Sequence, residues 1–106
     1  MIIIHVPFMR PDGMALFPFV LVKARQASAR IIHHERIHLR QQLEMGLLLF
    51  YIWYLLEFLI RLAQYRDRDL AYRNICFERE AYFFDEEFAY LKTRRRWAFL
   101  KFLFQQ

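Results

Sequence analysis

Residues Ala27 to Met45 read ASARIIHHERIHLRQQLEM. The stretch holds no proline or glycine, is followed by Gly46, and has the composition of a helix. Within it, His34-Glu35-Arg36-Ile37-His38 sets two histidines four residues apart. Residues at that spacing share one face of a helix, so both imidazoles reach a single ion. Glu35 follows the first histidine and stands beside the same point, where a carboxylate can take a proton from an ion-bound water. Two ring nitrogens and an adjacent base make half of a hydrolytic zinc centre, and a third ligand is required from elsewhere in the chain.

On the N-terminal side, Ile2 to Val6 is a short β-branched run, and Ala15 to Val22 is an apolar run with Pro18 inside it. Pro11-Asp12-Gly13 between them reads as a turn. The pattern predicts a hairpin-like pair of extended segments over residues 1–23, with Pro18 pushing its strand to a sheet edge. After Lys23 there is no proline and the only glycine is Gly46. The remainder is therefore predicted helical, over 27–45, 47–65, 67–93 and 94–104. The expected fold is mainly α with a short N-terminal β-hairpin, an α+β single domain over residues 1–106.

Composition limits what surrounds the histidine helix. A chain of 106 residues makes one domain with a modest core. Hydrophobic residues form 58% and aromatics 19%, and large rings bury much area per residue in a small fold. The net charge of +5 favours anionic partners. A lone cysteine, Cys76, excludes an internal disulfide framework and suits a reducing compartment. Met1-Ile2-Ile3-Ile4 lacks a basic region and Pro7 interrupts the apolar run, so no signal peptide is expected. The location these features suggest is cytoplasmic, peripheral on a membrane.

Leu47 to Ala63 is apolar apart from Glu57 and Arg61. At about 25 Å it is at the short limit for a membrane span. A single span would put the histidines and every later residue on opposite sides of a bilayer, leaving no third ligand. The expectation is a helix in the core or in the plane of a lipid surface, with Glu57 and Arg61 towards water or partner charges.

The third ligand is sought in Phe77-Glu78-Arg79-Glu80-Ala81-Tyr82. Leu70, Asn74, Phe77, Ala81, Phe84, Phe88 and Leu91 form a stripe at helical spacing, with Glu78 and Glu80 on its opposite shoulders. Glu78 shares its side with Ala71, Ala89, Tyr82 and Asp85, and small alanines permit close approach of another helix. Glu80 shares its side with Arg73, Cys76 and Glu87, a solvated, salt-bridging pattern. Glu78 is the expected ligand and Glu80 the alternative. Asp85 is a candidate to accept the outer ring N–H of a liganding histidine.

The His-Glu-x-x-His helix followed by Glu78-Arg79-Glu80-Ala81 resembles the gluzincin metallopeptidases. The likeness is to the integral-membrane peptidases that process prenylated proteins and to their small soluble relatives, the minigluzincins. Those membrane families carry Glu-x-x-Ala-Asp, whose first Glu binds zinc. On this chain that Glu is Glu78 and the Ala is Ala81, while Tyr82 stands where the family has Asp. The resemblance implies a minimal zincin-like helical domain with a zinc ion held by His34, His38 and Glu78, and Glu35 as general base and acid. It also implies an edge strand, Phe19 to Val22, whose Phe19, Val20 and Leu21 pair with an extended peptide or protein substrate.

His5, His33 and Cys76 are read as non-ligands, and Gln41 and Gln42 as cleft-lining or solvated. The basic-aromatic segment Lys92 to Phe104 suits an interfacial helix on anionic lipid or a terminal helix capping the core. The run from Trp97 to Gln106 is apolar enough to fill a hydrophobic groove, and the resemblance to the minigluzincins implies a tail that covers the cleft and keeps the enzyme latent, with lipid anchoring as the alternative. Nucleic acid is not an expected partner, because no binding motif accompanies the charge. The expected activity is zinc-dependent endopeptidase, active or latent. The other reading is a small membrane-associated binding or scaffold protein with a structural or vestigial metal site.

Overall fold

The structure is a computed structural model that describes residues 1–103. It is mostly helical with a small N-terminal sheet, in agreement with the α+β class. The sheet has three strands, β1 (Ile2–His5), β2 (Gly13–Leu16) and β3 (Phe19–Val22), in the order β1-β3-β2. The expected pairing of the two apolar runs is corrected. The second run folds on itself at Phe17-Pro18 into the antiparallel β2–β3 hairpin, and β1 joins parallel to β3. Pro18 thus occupies the turn, where no ladder N–H is needed, rather than an edge strand. β3 becomes the central strand, so Phe19, Val20 and Leu21 offer no free edge to a peptide. β2 is the edge nearest α1.

Helix α1 (Ala29–Met45) starts at Ser28, whose Oγ accepts the Ile31 N–H at 3.2 Å. It ends at Gly46, which adopts φ 79° and returns its N–H to the Gln42 carbonyl at 2.8 Å. Only glycine takes that conformation without strain, and it lets α2 (Leu47–Tyr65) begin at the next residue. Asp67 caps α3 (Arg68–Arg73) by accepting the Leu70 N–H at 3.0 Å.

The single helix expected over 67–93 is broken twice, giving α3, α4 (Cys76–Phe84) and α5 (Tyr90–Thr93). Asn74 makes the first break. Its side-chain amide donates to the Leu70 carbonyl at 2.7 Å and its Oδ1 accepts from Arg79 at 2.6 Å. Such local bonds compete with helix continuation. After the second, at Asp85, His33 donates to the Phe84 carbonyl at 3.1 Å and takes up one of the end carbonyls of α4.

Packing explains why α1 is central. Ala15, Val20 and Val22 of the sheet meet Leu39 on one side of it. On the other, Met45, Phe50, Ile75, Phe77, Phe99 and Phe102 form the main core. Phe77 is its hub, with ring centroids 4.5 Å from Phe50 and 4.7 Å from Phe99. Truncating such a ring to alanine costs about 3–5 kcal/mol.

The helix expected over 94–104 is also corrected. Arg94 is extended, Trp97 is left-handed, and a 3₁₀ helix (Ala98–Phe102) inserts Phe99 and Phe102 into the core; Phe104 lies outside the described residues. Phe99 and Phe102 therefore belong to the core, Leu103 packs against it, and residues 97–103 do not line the clefts beside the histidines.

Candidate metal centre

His34 and His38 point from α1 towards α4, and Glu78 points back from the first turn of α4. One oxygen of Glu78, Oε1, lies 3.1 Å from His34 Nε2 and 3.0 Å from His38 Nε2. All three side chains are buried, and their ligand atoms lie within 4.8 Å of one another. Atoms bonded at about 2 Å to one tetrahedral ion are about 3.3 Å apart, so this spacing fits a metal site. A buried His34–His38–Glu78 group can hold a metal ion.

The break at Asn74 is what allows this. It starts α4 afresh and turns both Glu78 and Glu80 inward, so Glu80 is not on a solvated side but fully buried. Glu80 accepts from Arg94, from Tyr90 at 2.6 Å and from Gln41 at 2.9 Å. Arg94 has a side chain only 1% accessible and also bonds Glu44 at 2.8 Å.

Gln41 connects this closed ion pair to the histidines. Its Nε2 donates to Glu80 and to the Phe77 carbonyl, both of which are acceptors only. Its Oε1 must then face His38 Nδ1, at 2.8 Å, and His38 must carry its proton on that nitrogen. The tautomer so selected presents the Nε2 lone pair to the ion site when His38 is neutral. Tyr54 does the corresponding work on the carboxylate, donating to Glu78 Oε2 at 2.6 Å and leaving Oε1 for the centre.

Electrostatics agree with this arrangement. Burial disfavours a charged His38, but the Glu78 carboxylate outweighs it and lifts the ring to about 9. Burial likewise opposes the Glu78 anion, yet His38 and His34 hold its carboxyl well below the ordinary range. Without metal, His38 and Glu78 thus form a histidinium–carboxylate pair, and a metal ion held there would take the place of the proton. Burial raises the Glu35 carboxyl above its ordinary value, partly offset by His38 and His34.

Glu35 is buried between the cluster and β2. A Cβ on Gly13 would stand 3.0 Å from Glu35 Oε2 and 3.1 Å from Ile31 Cγ2, so glycine permits the approach of the strand. Two clefts of about 310 and 270 Å³ adjoin here, sharing Gly13, Glu35 and Tyr72. The first reaches His38 and Glu78, the second His34, Tyr82 and Asp85.

The remaining candidates fall as follows. Asp85 Oδ2 lies 3.7 Å from His34 Nδ1, on the expected side but beyond a direct hydrogen bond. The Tyr82 ring packs edge-on to His34 at 4.5 Å. Phe19, Val20 and Leu21 do not line either cleft. His5 bonds the Lys23 carbonyl at 3.0 Å, His33 is buried with its charged form disfavoured by burial, and Cys76 is core. Gln41 and Gln42 are buried rather than solvated.

Sequence reasoning missed Gly13, Tyr54, Tyr72 and Arg94, and it placed Glu80, the alternative ligand, on a solvated side. Gln41, read as cleft-lining or solvated, stands three residues beyond His38 on the same helical face. No protein-family model matches the chain, and neither a curated protein nor a solved structure matches it.

Proposed function

We propose that the chain is a zinc-dependent metalloendopeptidase of gluzincin type, in active or latent form. The observation that supports this best is that Glu35, a carboxylate outside the His34–His38–Glu78 set, stands between that set and an open strand edge. A purely structural metal site has no need of a separate base on a cleft.

In this reading His34, His38 and Glu78 hold the ion. When bound, zinc supplies a Lewis acid that acidifies a water and polarises a carbonyl. Glu35 takes the proton of the attacking water and delivers it to the leaving nitrogen. Its raised proton affinity suits both halves of that transfer. Gln41 and Tyr54 keep the His38 ring and the Glu78 carboxylate in their liganding orientations.

The substrate strand lies along β2 rather than β3. The Ala15 carbonyl faces outward, where Gln42 and the Tyr51 hydroxyl bond it at 3.0 and 2.9 Å. Residues two apart in a strand turn their backbone groups the same way, so Gly13 also presents its N–H and C=O outward, beside Glu35. An extended peptide pairs with that open end. Tyr72, shared by the two clefts, offers a hydroxyl to the carbonyl oxygen.

The test is cleavage of an unstructured protein by zinc-loaded protein, by chelated protein and by Glu35→Gln. Cleavage that needs zinc and is lost in Glu35→Gln, with zinc content unchanged, is expected. Zinc bound at full occupancy with no cleavage by the wild type or by a chain truncated after Leu103 would favour the structural-site reading.

A further inference from the structure

Helix α2 is turned inside out. Its one buried carboxylate, Glu57, is 5% exposed and faces the core, where it accepts the Cys76 N–H at 2.8 Å and the Trp53 indole N–H at 3.0 Å. Arg61 follows it inward, pairing with Glu57 at 3.3 Å and donating to the Leu103 carbonyl at 2.6 Å. Phe50, Trp53, Tyr54 and Phe58 pack on the core beside it, yet the outward face is apolar as well. Leu48 is 75% exposed, Leu55 58%, Leu56 56% and Ile60 57%. Water-facing helices of soluble domains show the opposite polarity, and exposed apolar surface on this scale marks an interaction face.

Two observations identify what covers it. The first is charge. Exposed Arg40, Arg96 and Trp97 gather at the start of α2, and exposed Arg66 and Arg68 follow Tyr65 at its end. Asp67 and Asp69 at that end keep their charges, but Arg66, Arg68 and Arg73 outnumber them. A second copy docked on this face in either direction would set arginines against arginines, whereas anionic headgroups complement both ends. The second is size. α2 is about 28 Å long, and the whole molecule measures only 36 × 33 × 26 Å. With α2 upright in a bilayer core of about 30 Å, helix α1 packed beside it would carry exposed Arg36 and Arg40 into hydrocarbon.

We propose that the α2 flank beds into the surface layer of an anionic lipid bilayer, with α2 lying in the membrane plane. Aromatic and basic residues at both ends sit at headgroup level, and the metal cluster on α1 stays outside the hydrocarbon. A groove of about 530 Å³ between α2 and the C-terminal segment, lined by Leu49, Ile52, Leu56, Ile60, Trp97 and Leu103, continues the apolar face and suits an acyl chain. This inference does not depend on the metal reading.

Flotation of the full chain with phosphatidylcholine vesicles carrying about 20% phosphatidylglycerol tests it. The wild type should float, and do so less with uncharged vesicles or high salt. Leu55→Lys with Leu59→Lys should reduce partition roughly tenfold or more while the circular dichroism stays unchanged. Leu48→Lys provides a second variant at a more exposed position. Arg40→Gln with Arg96→Gln should weaken the preference for anionic vesicles. Cysteine probes at positions 40 and 64 should both label from outside the vesicles. The proposal is overturned if the protein stays in solution with either vesicle. It is equally overturned if the lysine variants float like the wild type, if the two probes label from opposite sides, or if they merely convert a lipid-free dimer into a monomer.

Discussion

Glu78 and Glu80 are two residues apart on α4, and both are buried. Glu80 faces Arg94, a permanently charged group, and Tyr90 and Gln41 use its remaining capacity. Glu78 faces His34 and His38, whose rings can surrender a proton, and Tyr54. A buried carboxylate needs a positive partner. Where the chain supplies arginine, the pair is closed and structural. Where it supplies two imidazoles, a divalent cation can replace the shared proton. Depth and residue type are the same, so the partner alone separates scaffold from site.

The largest effect should come from opening the closed pair. Arg94→Met leaves the Glu80 and Glu44 carboxylates uncompensated, and urea unfolding should show a loss of about 3–5 kcal/mol. Adding Glu80→Gln should recover part of it. An unchanged midpoint would mean that Arg94 is not the partner holding Glu80.

The open pair should respond to pH. The His38 ring stands raised from 6.5 to about 9, so its stabilising contribution is complete below 6.5 and lost as pH rises through 9. Glu78 is lowered from 4.5, so its contribution is present above 4.5 and fades as pH falls through its folded value. Because zinc must displace the His38 proton, affinity should climb about tenfold per pH unit up to about pH 9. Calorimetry in buffers of different ionisation enthalpy reads the released proton. A flat profile would show His38 already neutral without metal.

The bridge between the two pairs comes next. Gln41→Leu should weaken zinc binding roughly 10–100-fold while the domain stays folded. Nitrogen chemical shifts of the metal-free protein above about pH 9, where the His38 ring is neutral, report its tautomer directly. Free exchange between tautomers in the wild type would break the proposed relay. The smallest effect is at Gly13, where an added Cβ crowds Glu35. Gly13→Ala should lower turnover about 3- to 10-fold with zinc content unchanged, and a matching fall in zinc content would relocate the disturbance to the ligands.

Local chemistry made much of this legible in the sequence. Gly46, the run of helix formers before it and the apolar run after it marked α1 and α2 almost to the residue, whereas the alanine argument for Glu78 assumed an unbroken helix, and Ala71 lies on α3 and Ala89 beyond α4. The features that depended on distant partners were not legible. Glu80 looked solvated because Arg94 lies fourteen residues on and reaches it only after the chain turns at Asp85 and Arg94. The inward face of α2 was hidden because Glu57 is satisfied by the Cys76 backbone, which no periodicity reveals. Asn74 was an ordinary member of a stripe until its own hydrogen bonds ended the helix.

Zinc titration of the metal-free wild type beside Glu78→Gln and Glu80→Gln tests the contrast most directly. The wild type should take up one zinc per chain, Glu80→Gln should bind within about tenfold of it, and Glu78→Gln should be weaker by more than about 100-fold. Wild-type affinity in Glu78→Gln, or equal loss in both variants, would contradict the assignment of one carboxylate to the metal and the other to the scaffold.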